Sequence, residues 1–469
     1  MIVKIIDAMT AVNYFHIFLD ILSRLWYIVN MKIGREFRIY PTKEQQDVLS
    51  HWIGCQRVIR NAKVDETNLN CWLRKNYKFS ARVPKLSDVG VFDQCFSQFK
   101  TKENPWLKQV PSQILRNGVY RAKDAFSRYW KGQNKRPDKK KGGSHQSVLL
   151  TNELFTLEND ILVIGTPKHY IGAVTLVAHR NYLVPKMITI SRHPNGVWNC
   201  SFCFEDEEVL PTEEDLLVQH SFTPESRILA FDRGVANPLY GSNNVSYDLS
   251  EDHKRRGMFL DRSIVRKQQS LHRKVKGSRK RNKTKQKLAG LFATKKNIIN
   301  DWQNKTALTI ARSDCDVIAV EDLKLANMTK APAPKPSPLC DGTYKENRAA
   351  AKAGLNGAML RLALGRLSDK IQWKARQNGK AFIKVSPTKS SQECSCCTHT
   401  DPGNRLTQAE FYCQACGYKV HADYNASVVC RKRAYQILMK SRPGNHGDLK
   451  RSSRVQSPPR SRSSHPIER

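Results

Sequence analysis

Two Cys-x2-Cys pairs, Cys394-Ser-Cys396-Cys397 and Cys413-Gln-Ala-Cys416, stand fifteen residues apart. A Cys-x2-Cys turn brings two thiolates to one ion with little strain, and two such turns supply the four soft ligands of a tetrahedral zinc site. This part of the chain is therefore expected to close as a small knuckle around Zn2+, held by Cys394, Cys397, Cys413 and Cys416. Four thiolates leave no open position for water, so the metal's role is structural. Cys396 is left out because adjacent cysteines give poor geometry at one ion. A glycine is expected after Cys397 to ease the turn, but Thr398 stands there. His399 and His421 remain alternative ligands. The other cysteines, at 55, 71, 95, 200, 203, 315, 340 and 430, are scattered among apolar or mixed stretches and read as small buried hydrophobes. Free thiols around one tight cluster point to a reducing compartment, not to a disulfide framework.

The charge balance narrows the partners. Of 469 residues, 79 are Lys or Arg and 42 are Asp or Glu, a formal net charge of +37. Apolar residues at 40% and aromatics at 9% exclude wholesale disorder, and the length allows two to four domains. Such a surplus favours a polyanion, because each phosphate neutralised by Lys or Arg releases condensed counterions. Nucleic acid is the expected partner. A membrane is not: neither end carries a lipidation motif, and the apolar stretch 15–29 is short and broken by Asp20 and Arg24. It also lacks the order of a signal peptide. Residues 1–30 read either as an extension upstream of a functional start near Met31 or as an amphipathic helix.

From Met31 a strand-like alternation runs to Pro41, where Thr42 caps a long helical pattern. Residues 111–131 read as a basic amphipathic helix, and 131–143 as a surface loop. From Ser147 the period changes to two. Five short strands are expected at 148–157, 161–165, 172–180, 187–192 and 197–205, forming a small barrel or sandwich joined by the early strand. The acidic stretch 205–215 reads as a linker. Residues 254–287 hold fifteen Lys or Arg in a helical pattern, followed by a helix at 289–312 and another at about 347–377. Ser, Arg and Pro dominate after 441, so the tail is expected to be disordered.

Three acids sit at the mouths of strands. Asp232 follows Ile-Leu-Ala-Phe, and Glu321 follows Val-Ile-Ala-Val. Asp423 lies in His421-Ala-Asp-Tyr-Asn-Ala-Ser where a helix begins. Alone, each reads as a helix cap or solvated terminus. Together in so basic a chain they fit phosphodiester cleavage, which needs hard carboxylate oxygens on rigid elements to hold divalent ions. Asp322, beside Glu321, reads as the N-cap of a following Leu-Lys-Leu helix.

The order of Ala-Phe-Asp232-Arg-Gly-Val, Lys276-Gly-Ser-Arg-Lys, Val-Ile-Ala-Val-Glu321-Asp-Leu, Lys389-Ser-Ser-Gln-Glu-Cys394, Cys413-Gln-Ala-Cys416-Gly-Tyr and His421-Ala-Asp423-Tyr-Asn-Ala resembles the TnpB (OrfB) proteins of bacterial insertion sequences. These are transposon-encoded relatives of type V CRISPR nucleases. The resemblance spans roughly 31–434. It implies a multidomain α+β chain: a RuvC-like, RNase H-like α/β nuclease domain (221–390 and 418–440) with an inserted zinc knuckle (391–417). A small β-barrel wedge domain (31–45 and 146–215) and a helical recognition domain (46–145) complete the implied fold. Residues 1–30 would be an upstream extension and 441–469 a disordered basic tail.

By the same resemblance, Asp232, Glu321 and Asp423 are the catalytic carboxylates and hold Mg2+. The protein would be an RNA-guided DNA endonuclease, cytoplasmic and nucleoid-associated. Its implied partners are DNA, a guide RNA derived from the element's end, and a separately encoded transposase acting on the same element. A nuclease-idle RNA-guided binder and an accessory transposition regulator are the alternatives. No His-x-His pair supports tyrosine-type strand transfer. Arg273, Lys274, Lys276, Arg279, Lys280 and Arg281 form the densest part of the basic stretch and are the expected phosphate contacts along an RNA–DNA heteroduplex.

Overall fold

A computed structural model describes residues 32–76, 96–142, 146–205, 210–336, 344–345 and 347–442. The segment 1–30, Cys95, Cys340 and the tail beyond 442 lie outside the described residues. The chain divides into two units. Of the described residues, one takes those up to 209 together with 275–289, and the other takes 210–274 together with 290–442.

In the first unit, β1 (Lys32–Tyr40) ends at Pro41, and α1 (Lys43–Asn76) follows. Thr42 caps it as expected. The Gln45 N–H reaches the Thr42 hydroxyl at 3.4 Å, and the Thr42 N–H donates back to Gln45 Oε1 at 2.9 Å. Against α1 packs α2 (Ser112–Trp130), which buries Ile114, Leu115, Val119, Ala122 and Phe126 at helical spacing. Gly118 marks the closest approach: a Cβ there would lie 2.9 Å from the Gln56 carbonyl.

Six strands then follow: β2 (Gln146–Thr151), β3 (Phe155–Glu158), β4 (Ile161–Thr166), β5 (His169–Val177), β6 (Met187–Arg192) and β7 (Trp198–Glu205). The single strand expected at 148–157 is two, because a 3-10 turn at Asn152–Leu154 interrupts it. With β1 they make one antiparallel sheet in the order β2-β6-β7-β1-β5-β4-β3. Its inner face sends Phe37, Ile39, Val148, Leu150, Ile188, Ile190 and Phe202 into one core with Leu49, Trp52 and Ile53 of α1. Burying each such side chain stabilises the fold by roughly 1.5–3 kcal/mol. Alternation also sorts the cysteines. Cys200 faces the core, whereas Cys203 faces solvent and Cys71 is half-buried, so these two are not the buried hydrophobes expected.

In the second unit, the end of the stretch expected as a linker at 205–215 opens a helix instead, α3 (Glu213–Gln219), because Thr212 and Asp215 close a capping box. A four-stranded sheet follows, built from β8 (Ile228–Asp232), β9 (Tyr240–Gly241), β10 (Val317–Glu321) and β13 (Ala381–Val385). Its order is β13-β10-β8-β9, with β8, β10 and β13 parallel and β9 antiparallel at the edge. A short β11 (Lys335–Pro336) pairs with β12 (Tyr344–Lys345) elsewhere.

The helices between and after these strands are α4 (Glu251–His272), α5 (Arg279–Ala311, whose residues up to 289 fall in the first unit), the single turn α6 (Leu325–Met328), α7 (Ala349–Leu362), α8 (Leu364–Gln377) and α9 (Ala422–Lys440). Two departures from expectation are breaks. The basic helix stops at His272 and resumes at Arg279, across a turn where Gly277 takes φ +86°. The helix expected at about 347–377 is split at Ala363, with φ +48°. Asp322 caps nothing: Lys324 precedes α6, and no side chain caps that turn.

Strand alternation sends Leu229, Phe231, Ile318, Val320 and Phe382 to one face, under Trp302 and Ile310 of α5 and Leu367 and Ile371 of α8. The other face carries Ile228, Ala230, Val317, Ala319, Ala381 and Ile383, under Cys430, Ala434 and Leu438 of α9. Helices thus cover both faces of a mostly parallel sheet, a multidomain α/β arrangement overall. Among the described residues, no helix is long and apolar enough to cross a membrane.

Candidate functional site

Parity in the sheet decides where the acids point. Asp232 continues the 228, 230 series and Glu321 the 317, 319 series, so both fall on the face that α9 covers. Val320 pairs with Phe231, so continuing that register sets Glu321 beside Asp232 at the carboxyl ends of adjacent parallel strands. Asp423 stands in the first turn of α9. The three acids, 191 residues apart at the extremes of the sequence, therefore meet over one sheet face, at the carboxyl ends of its two central strands.

Electrostatics agree with that meeting. Burial, then the negative charges of Glu321 and Asp423, hold the Asp232 carboxyl well above the usual carboxylate range, and a hydrogen bond to Glu321 adds to the effect. Glu321 is 4% exposed. Its Oε1 accepts from the Ser390 hydroxyl at 2.6 Å and lies 3.7 Å from Cys430 Sγ. Asp423 accepts from Asn237 Nδ2 at 2.7 Å and lies 3.7 Å from an Arg405 nitrogen. The buried Arg233 guanidinium turns to the Glu321 backbone carbonyl, and its Nε has no partner among the described residues. Hard oxygen donors crowded into mutual repulsion suit a divalent cation such as Mg2+. The grouping is looser than that of the cysteines: among the described residues, only the four thiols lie all within 4.8 Å of one another.

Cys394, Cys397, Cys413 and Cys416 make that tight group. Cys394 and Cys416 are 3.7 Å apart at sulfur, Cys397 and Cys413 3.5 Å. A tetrahedron with metal–sulfur bonds of about 2.3 Å has edges of about 3.8 Å, so the quartet could hold a metal such as zinc. Each half repeats one turn: the Thr398 N–H donates to the Cys394 carbonyl and the Gly417 N–H to the Cys413 carbonyl, both at 2.9 Å. Cys396 is exposed and outside the group. His399 and His421 also lie outside the group. His421 stacks on Tyr240 at 5.1 Å and accepts from the Asp423 N–H, capping α9.

The knuckle is tied to α9. Ser395 N–H donates to Asn425 Oδ1 at 2.9 Å, and Lys432 Nζ donates to the Ser395 carbonyl at 2.6 Å. Arg405, from the loop between the two cysteine pairs, reaches Asp423. Sequence reasoning missed Asn237, Arg405 and Cys430. Ser390 was quoted within a motif without a role. Of the six basic residues, Arg273, Lys274 and Lys276 lie in the turn at 273–278, and Arg279, Lys280 and Arg281 open α5.

A Cas12f1-like TNB domain model matches residues 365–430, which include the knuckle and Asp423. A helix-turn-helix domain model of the OrfB IS605 type matches 31–64, where this chain forms β1 and the start of α1. Over 396 residues the chain is 26% identical to InsQ of Escherichia coli (strain K12), a candidate RNA-guided DNA endonuclease, covering 84% of this chain and 90% of InsQ. Over 61 residues it is 51% identical to the CRISPR-associated endodeoxyribonuclease Cas12f1 of Sulfoacidibacillus thermotolerans, covering 13% of this chain and 14% of that one. A solved complex of Cas12f1 with guide RNA and target DNA aligns with a TM-score of 0.49 at 12% identity, over 86% of this chain and 98% of that one. The two domain models lie toward opposite ends of the chain, and with the InsQ match over 84% of it they support a member of the TnpB (OrfB) family.

Proposed function

We propose that this chain is an RNA-guided DNA endonuclease whose second unit is a RuvC-like, RNase H-like nuclease and whose carboxylates Asp232, Glu321 and Asp423 hold Mg2+. The observation that carries this reading is the convergence of the three acids over one sheet face, with Asp232 pushed up by burial and by the charges of the other two. Bound divalent ions would supply Lewis acidity at the attacking water and the departing ester oxygen of the DNA phosphodiester. The protein's own groups do the positioning. Ser390 and Cys430 engage Oε1 of Glu321, Asn237 fixes Asp423, and Arg405 adds a fixed cation beside Asp423.

On this reading the four cysteines bind a structural zinc, the seven-stranded sheet is the wedge barrel, and α1 with α2 is the recognition lobe. Guide RNA from the element's end and target DNA are the ligands, and a separately encoded transposase serves the same element near the nucleoid. Arg273, Lys274, Lys276, Arg279, Lys280 and Arg281 contact heteroduplex phosphates. Replacing Asp232, Glu321 or Asp423 by Ala removes a ligand, so Mg2+-dependent cleavage of guide-matched DNA should fall by about 100-fold or more while nucleic-acid binding persists. Undiminished cutting by any one variant would overturn the assignment. The presence of all three acids argues against a nuclease-idle binder.

A further inference from the structure

In the first unit, Arg57, Arg60, Arg121, Lys140 and Lys141 line one small cavity of about 10 Å3, and among the described residues no carboxylate lines it. Arg60 is 7% exposed. Its guanidinium reaches the Asp138 carbonyl at 2.9 Å and the Asn61 amide oxygen at 3.2 Å. Arg121 donates to the Ser147 carbonyl at 2.9 Å, to the Ser147 hydroxyl at 3.0 Å and to Gln56 Oε1 at 3.2 Å. Among the described residues, every hydrogen-bond acceptor of these two guanidiniums is a neutral group. Gln56 is locked in that orientation, since the same Oε1 accepts the Leu149 N–H and its Nε2 donates to the Ile114 and Leu149 carbonyls. Arg57 packs over Gly142, its terminal nitrogens 3.6 and 3.7 Å from where a Cβ on that glycine would be. Asn61 pins the loop by exchanging two 2.9 Å hydrogen bonds with the Lys140 backbone.

Arg57, Arg60, Arg121 and Lys140 crowd one cavity and repel one another, while the Asp138 carboxylate acts on Arg60 from outside the lining; partly buried like charges are costly. The repulsion registers on Lys140: burial, then the Arg121 and Arg60 guanidiniums, push its ammonium down to about 8, although much of the residue is exposed. The loop at 138–142 is nevertheless fastened in place, by the hydrogen bonds from Arg60 and Asn61 and by a Lys139–Asp65 ion pair at 3.0 Å. Such a preorganised group is what an anion would complete, and a space of this size admits about one oxygen atom. Arginine forks with a lysine point charge match the tetrahedral oxygens of a phosphodiester.

We propose that this cavity binds one backbone phosphate of a nucleic-acid strand, with Arg57 and Lys140 contacting the phosphate and the more enclosed Arg60 and Arg121 supplying a fixed positive field behind it. This rests on the nucleic-acid reading above and adds a site to it. RNA and DNA carry the same phosphodiester, so the test uses both. The full chain carrying R57Q and K140Q is titrated, without divalent ions, with single-stranded RNA and with duplex DNA of unrelated sequence over a range of salt. Affinity for at least one probe should fall about tenfold. Its log–log salt slope should shrink by about 0.7 for the single strand or 0.9 for the duplex. The probe affected names the strand that occupies the site.

Wild-type affinity and slope on both probes would overturn the proposal, as would weaker binding with an unchanged slope. Both substituted side chains leave the Arg60 and Arg121 hydrogen bonds intact, so the melting temperature should hold or rise. If the double variant melts early, K140Q alone, at an exposed residue, repeats the test. The nuclease reading fails separately, through undiminished cutting by the carboxylate variants.

Discussion

Thr398 and Gly417 occupy equivalent places in the two cysteine turns, and both backbones enter the left-handed region, at φ +65° and +72°. Glycine adopts that conformation freely, whereas an L residue there costs roughly 1–2 kcal/mol. Part of the cost at Thr398 is offset by its hydroxyl, which donates to the Cys397 carbonyl at 2.6 Å. Replacing Thr398 by Gly should therefore raise the stability of the metal-loaded protein by roughly 0.5–1 kcal/mol, the left-handed penalty less glycine's extra chain entropy. Thermal melting with metal present checks this, and a lower midpoint would refute it. The need for a glycine-like turn was legible from the spacing alone, although the residue that fills it was not the expected one. The neighbours of Glu321 were not legible. Ser390 and Cys430 come to its Oε1 from 69 and 109 residues away, and only the packed sheet and α9 bring them there. Asp322 shows the opposite error: a plausible local cap whose helix begins too late to use it.

Among elements, strands with strict alternation were readable, and the same alternation is what points Asp232 and Glu321 to one face. Breaks were harder. The charge and apolar pattern of residues 254–311 runs on through the turn at 273–278, because a helix break needs only one residue in a left-handed conformation and leaves the period on either side intact. Gly277 gave a local hint, but Ala363 gave none. The coupling of the knuckle to α9 is likewise invisible in sequence, yet it makes a firm expectation. Ser395, Lys432 and Arg405 tie the cysteine turns to the helix that presents Asp423. Zinc analysis should give about one metal per chain, and Cys416→Ser should lower that content. Cleavage should fall with it by about 100-fold, because an error of about 1 Å at a reacting group is enough for such a loss. Asp232→Ala should abolish cleavage with zinc content unchanged. A C416S protein that lost its metal and still cut at the wild-type rate would show that the knuckle does not position the carboxylate.

For the molecule as a whole, a net charge of +37 makes polyanion binding a property of the entire surface, so the question is which cations contribute specifically. The turn between α4 and α5 concentrates six of them within nine residues, at Arg273, Lys274, Lys276, Arg279, Lys280 and Arg281. Arg273, Lys276, Arg279 and Lys280 are exposed. Gly277, at φ +86° with nothing within 4 Å of a Cβ position, lets the chain reverse without a packed neighbour, so the charges crowd one short bend. Phosphate contacts at such a bend read no sequence; they position the duplex. Changing the six residues to Gln should weaken binding of an RNA–DNA duplex equally at every sequence. The salt slope should also fall by about 0.7–0.9 for every phosphate that is no longer neutralised. The R57Q/K140Q variant should free about one such phosphate, and the six-residue variant several. If the six-residue variant kept wild-type affinity and slope, this bend would be solvated surface, and the charge that holds the duplex would have to lie elsewhere, first in the lysines at 131–141.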